Sequence, residues 1–109
     1  MLKTNPTGAG KGVRTAAEYL AGLQDGREVW TGGERGTDVT THPATRRGAA
    51  TLASFLERQS APALLDTLTY EDEDGDRCAM AFMLPKSKED VKRRGKAYYE
   101  WATWSHGMF

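Results

Sequence analysis

Apolar and polar positions change rhythm several times along the 109 residues, and each change marks an expected element. From Thr15 the spacing is helical, with Tyr19, Leu20 and Leu23 on one stripe. "TAAE" sets Thr15 three residues before Glu18, the capping-box arrangement in which each side chain meets the other's free backbone donor. Gly26 is the expected stop. "REVWTGGERG" then gives two short extended pieces around Gly32-Gly33, a pair that permits a tight hairpin turn. Helical spacing returns in "DVTTHPATRRGAATLASFLERQ", with Pro43 in the first turn, Thr40 or Thr41 as cap, and Ala49, Leu52, Ala53, Phe55 and Leu56 as the buried stripe.

After Pro62, "LLDTLTY" and "RCAMAFMLP" read as a second pair of strands, each at least half buried, about the Asp74-Gly75 turn. The last helix is announced by "SKED", where Ser87 caps and Glu89 and Asp90 lie near the positive end of the helix dipole. Taken at helical spacing from Val91, its bulky face passes through Arg94 or Gly95, Tyr98, Trp101 with Ala102, and Ser105. The expected fold is therefore mainly α with two short β-hairpins. Residues 1–14, rich in Gly, Thr and Lys, read as a flexible leader with little apolar surface to pack. No internal repeat interrupts the pattern.

An arginine on that bulky face is the oddity of the chain. Its stem could cover apolar surface while its head reaches water, or an acid from the hairpin turn could pair with it. Alternatively Arg94 lines a pocket and binds an anion, with Tyr98, four residues on and on the same surface, as a second donor. Gly95 beside it favours the second reading, because glycine inside a helix costs about 1 kcal/mol and commonly marks a close approach.

Composition removes competing functions. Fifteen Lys and Arg balance fifteen Asp and Glu, which points to neither nucleic acid nor a membrane surface. The acid is concentrated in "DTLTYEDEDGD", and Cys78-Ala79-Met80 follows where an EF-hand loop would place its distal Glu, so a solvated turn is expected. Cys78 is the single cysteine, and it fits a reducing cytoplasm. His42 and His106 have no second ligand at metal spacing, and no metal site is expected. "GAGKG" departs from both the Walker loop and the dinucleotide fingerprint, and no G-x-S-x-G elbow occurs. Tryptophans and tyrosines are expected in core packing. No apolar run matches a membrane span.

"EYLAGLQDGREVWTGGE", "DVTTHPATRRGAA", "LLDTLTYE", "FMLPKSKEDVKRRGKAYYEWA" and "GMF" together resemble the N-terminal segment of the 4-hydroxyphenylacetate 3-monooxygenase family, over residues 15–109. These are oxygenase components of two-component flavin-dependent phenol hydroxylases. The resemblance implies the helical N-terminal domain of an acyl-CoA-dehydrogenase-like fold, followed in the family by a central β-domain and a C-terminal helical bundle that builds a homotetramer. It implies reduced FAD supplied by a separate reductase, O2 as co-substrate, and a phenol hydroxylated beside its own hydroxyl. It places the family's R-x-x-x-Y phenol-binding pair on Arg94 and Tyr98.

Two departures sharpen the expectation. The family continues into a G-R-S-P-D-Y-like loop and several hundred further residues with most of the flavin contacts, so the chain reads as a truncated segment, inactive by itself. The related 4-hydroxybutyryl-CoA dehydratase branch places a C-x-x-x-C pair for an iron–sulfur cluster where this sequence has Trp101 and Ser105. The other alternative is a non-catalytic folded module or remnant, whose exposed Trp101, Trp104, Met108 and Phe109 would favour self-association.

Overall fold

The computed structural model describes residues 13–36 and 38–108, in the order α1 (Ala16–Gly22), β1 (Val29–Thr31), β2 (Glu34–Gly36), α2 (Arg46–Gln59), α3 (Leu65–Leu68), β3 (Thr69–Glu71), β4 (Arg77–Ala79), a 3-10 turn (Met80–Phe82) and α4 (Lys88–Trp104). Helices predominate and the strands form two separate two-stranded antiparallel sheets, β1-β2 and β3-β4. Two compact units result, Arg14–Arg58 and a second formed by Gln59 onward with Val13. The expected leader lies outside the described residues up to Gly12; Val13, counted with it, is buried.

In the first unit, Thr15 caps α1 by accepting a hydrogen bond from the Glu18 amide at 3.2 Å. Glu18 does not complete the box: its Oε1 is buried and has no hydrogen-bond partner among the described residues. The helix ends at Gly22, four residues before the expected stop, while Gly26 at φ +77° serves the turn beyond. There the Arg27 guanidinium grips Asp25 at 2.8 and 2.6 Å and holds that carboxyl down at about 2. The hairpin pairs Val29 with Gly36, Trp30 with Arg35 and Thr31 with Glu34. Its loop is Gly32-Gly33, at φ +58° and +80°, the two positive values that match the twist of the flanking strands.

The approach to α2 corrects the capping expectation. Asp38, not a threonine, organises "DVTTHP": its Oδ1 accepts from the Thr40 amide at 2.9 Å and the Thr40 hydroxyl at 2.6 Å. Pro43 therefore sits in a turn, and the helix begins at Arg46, whose amide donates to the His42 carbonyl at 2.8 Å. Of the expected stripe, Ala49 and Ala53 are buried, Phe55 and Leu56 are half-buried, and Leu52 is 42% exposed.

In the second unit, "LLDTLTY" is not one strand. Amides of Leu64 and Leu65 both donate to the Ala61 carbonyl at 2.9 Å, which starts a helical turn just where Pro62 lacks a donor to lose. Only Thr69–Glu71 is extended, pairing Thr69 with Ala79, Tyr70 with Cys78 and Glu71 with Arg77. "RCAMAFMLP" likewise leaves the strand at Met80. Met80 and Met83 are buried while Phe82 is 78% exposed, a period of three that suits a 3-10 turn and not a strand. Leu68, Met80 and Thr69 are the largest fully buried side chains among the described residues.

Helix α4 packs against α3 and the Met80–Phe82 turn. Its start is doubly fixed, with Ser87 Oγ accepting from the Asp90 amide at 3.1 Å and Asp90 Oδ2 accepting from the Lys86 amide at 2.9 Å. Its end is closed by the Gly107 amide on the Ala102 carbonyl at 2.7 Å, with His106 at φ +56° and Gly107 at φ +82°. Among the described residues no helix is long and apolar enough to cross a membrane.

Candidate phenol-binding site on helix α4

The buried positions of α4 are Ala97 and Trp101, and Arg94 is half-buried on the same side, three residues before Ala97. Val91 is 59% exposed and Tyr98 43% exposed, so the inward stripe is offset from the one expected through Val91 and Tyr98. Arg94 thus has its stem on the packed side and its head at the margin. Four residues along, one turn of helix brings Tyr98 to it: Arg94 Nη2 donates to Tyr98 Oη at 2.7 Å, and the guanidinium carbon lies 5.4 Å from the Tyr98 ring centroid. The Tyr98 ring in turn lies 5.6 Å from the Trp101 ring at an interplanar angle of 41°.

The protons of this pair have a defined direction. A guanidinium carries donors and no acceptor, so Tyr98 oxygen takes the hydrogen bond and its own O–H must point elsewhere. Arg94 Nε is buried and has no hydrogen-bond partner among the described residues. Leaving such a donor unmatched costs about 1–3 kcal/mol, and more for a charged group. Arg94 makes no ion pair among the described residues, so the acid-paired reading of it falls away. The ends of the pair offer donors, and what they complement is an acceptor, best an oxyanion.

Other candidate residues have structural work. His42 Nδ1 accepts from the Ala44 amide at 3.1 Å, which leaves the ring proton on Nε2, facing Glu34 Oε1 at 2.9 Å. His106 turns the chain at the end of α4. Carboxylates of Asp72, Asp74 and Asp76 come within 4.8 Å of one another. That grouping follows from the turn itself, since Asp72 Oδ1 accepts from the amides of Asp74 and Asp76, each at 2.9 Å. Among the described residues Gly95 is not a point of close approach: a Cβ there would meet nothing within 4 Å. It opens instead onto a shallow groove of about 570 Å³ with Thr67, Lys92, Lys96, Tyr99 and Glu100, which does not include Arg94 or Tyr98.

Helix α4 thus presents an Arg-Tyr donor pair at its half-buried margin, and comparison with known proteins gives the segment its family. Residues 15–109 match the family profile described as 4-hydroxyphenylacetate 3-hydroxylase N terminal, and the chain belongs to that family. The oxygenase component of 4-hydroxyphenylacetate 3-monooxygenase from Thermus thermophilus is 45% identical over 97 residues, covering 88% of this chain and 20% of that protein. The oxygenase component of 4-nitrophenol 4-monooxygenase/4-nitrocatechol 2-monooxygenase from Rhodococcus opacus is 46% identical over 88 residues, covering 81% and 16%. A crystal structure of a 4-hydroxyphenylacetate 3-monooxygenase oxygenase component, complexed with FAD and 4-hydroxyphenylacetate, superposes with a TM-score of 0.78 at 44% identity, covering 84% of this chain and 19% of that one. The chain spans about a fifth of the length of these relatives.

Of the two positions where the dehydratase branch would hold cysteines, Trp101 is a buried packing residue. Ser105 closes the helix, its hydroxyl donating to the Trp101 carbonyl at 2.7 Å.

Proposed function

We propose that this chain supplies the phenol-binding helix of an FAD-dependent aromatic monooxygenase, with Arg94 and Tyr98 as the groups that hold the phenolic oxygen. The observation that carries the reading is the 2.7 Å Arg94–Tyr98 bond beside a buried Arg94 Nε that has no partner among the described residues. Family membership supports the reaction class, and relatives of known activity act on phenols.

The pair's role follows from its chemistry. A fixed guanidinium within hydrogen-bond reach favours the ionised form of a phenol, and the Tyr98 O–H, turned away from Arg94, is available as a second donor. Charge delocalised from the phenolate oxygen enriches the ring carbon beside it, which is the carbon to be hydroxylated. Arginine suits the task because its rigid fork directs more than one donor and it keeps its charge when half-buried. Reduced FAD, when bound, supplies the electrons that activate O2. The same reading includes a separate reductase, in keeping with a Burkholderia cepacia relative described as an FADH(2)-dependent monooxygenase. The family resemblance extends it to a cytoplasmic homotetramer with an acyl-CoA-dehydrogenase-like fold.

The test is a chimera in which residues 15–109 replace the matching segment of the Thermus thermophilus relative. With reduced FAD and O2 it is expected to hydroxylate 4-hydroxyphenylacetate. Arg94→Ala in the chimera should then abolish most of that activity, and a variant that keeps it would remove Arg94 from the site.

A further inference from the structure

We propose that Trp101 is a positioning residue for the phenol-binding pair: its indole fixes the rotamer of Tyr98 that brings the hydroxyl to Arg94. The inference rests on the phenol-binding reading above. Three side chains form a ladder along one helix, Arg94 to Tyr98 at i+4 and Tyr98 to Trp101 at i+3, the spacings at which helix side chains meet. The rungs differ in anchorage. Trp101 is 8% exposed and held in the packed interior, whereas Tyr98 is 43% exposed and is exposed on the side it shares with Val91.

An exposed tyrosine on a helix ordinarily samples more than one staggered χ1 well. Here its ring is braced on one side by the indole at 5.6 Å and 41°, within the contact range of aromatic pairs, and it lies 5.4 Å from the guanidinium carbon. The braced rotamer is the one that delivers the oxygen to Nη2 at 2.7 Å, and the hydroxyl proton then points away from Arg94. Phenol affinity then depends on the fraction of molecules holding that rotamer. Release into two equally populated wells, the two that a helical tyrosine can reach, would weaken binding about twofold, since apparent affinity scales with the competent fraction.

The experiment measures the three-bond couplings that report χ1 of Tyr98 by NMR in the 109-residue chain, in Trp101→Phe and in Trp101→Leu. The expected result is a single rotamer in the unmodified chain and in Trp101→Phe, and averaged couplings in Trp101→Leu, with amide shifts of residues 88–97 unchanged in both variants. Averaging already present in the unmodified chain, or a single rotamer that persists in Trp101→Leu, would overturn the proposal. In the chimera, Trp101→Leu should raise KM for 4-hydroxyphenylacetate about twofold, and not at all when Tyr98→Phe is already present; equal effects in both backgrounds would show a merely structural role. Full activity of the Arg94→Ala chimera, by contrast, refutes the phenol-binding reading and not the rotamer assignment.

Discussion

Arg94→Lys separates charge from geometry at the site. The substitution keeps a positive charge but loses the planar fork, so one ammonium replaces both the Nη2 that meets Tyr98 at 2.7 Å and the buried Nε. A hydrogen bond involving a charged group contributes about 1.5–3 kcal/mol, and losing one such bond from the bound state corresponds to roughly 10–150-fold in affinity. Arg94→Ala removes the charge as well and should cost at least about another tenfold. The assay is kcat/KM for 4-hydroxyphenylacetate in the chimera at saturating reduced FAD, together with equilibrium binding of 4-nitrophenol followed by its phenolate absorbance. If Arg94→Lys falls within about twofold of the parent while Arg94→Ala does not, charge alone suffices and the argument from the fork is wrong.

Three further outcomes follow from local geometry. Gly95→Ala should stabilise the chain by about 1 kcal/mol in urea unfolding, because the new Cβ meets nothing and alanine is the better helix former; a loss of stability would mean that something occupies that space. Ser87→Ala should cost about 1 kcal/mol and speed hydrogen exchange in the first turn of α4, and unchanged exchange would show that Asp90 alone holds the helix start. Asp25 ionises at about 2 against an ordinary 3.8, chiefly through its side-chain bond to Arg27. A carboxyl with a depressed folded value favours the folded turn above its ordinary value and loses that contribution as pH falls from about 4 through about 2. Its carboxyl carbon should titrate near the lower value by NMR, and Arg27→Ala should return it toward the ordinary one.

The features legible in the sequence were those settled by neighbours a few residues apart. Thr15 and Ser87 cap the helices they were expected to cap, and Gly32-Gly33 and Asp74-Gly75 turn the hairpins. The spacing of Arg94 and Tyr98 predicted their meeting, and one turn of helix delivers it. Less legible was the rest of the site. Trp101 read as ordinary core packing, and only its 5.6 Å approach to Tyr98 distinguishes it; the i, i+4, i+7 series of Arg94, Tyr98 and Trp101 was the available signal.

What the sequence by itself determined, then, is the set of caps, turns and helix-surface pairs, because their hydrogen bonds close over two to four residues and owe little to distant chain. Tertiary structure decided which side of α4 faces inward, turning Ala97 and Trp101 in and leaving Val91 out. It also made helical turns of Leu65–Leu68 and Met80–Phe82, where short apolar runs about a turn suggested strand. Burial is a property of partners far apart in the chain, and a short apolar run is equally compatible with either backbone until those partners choose its face.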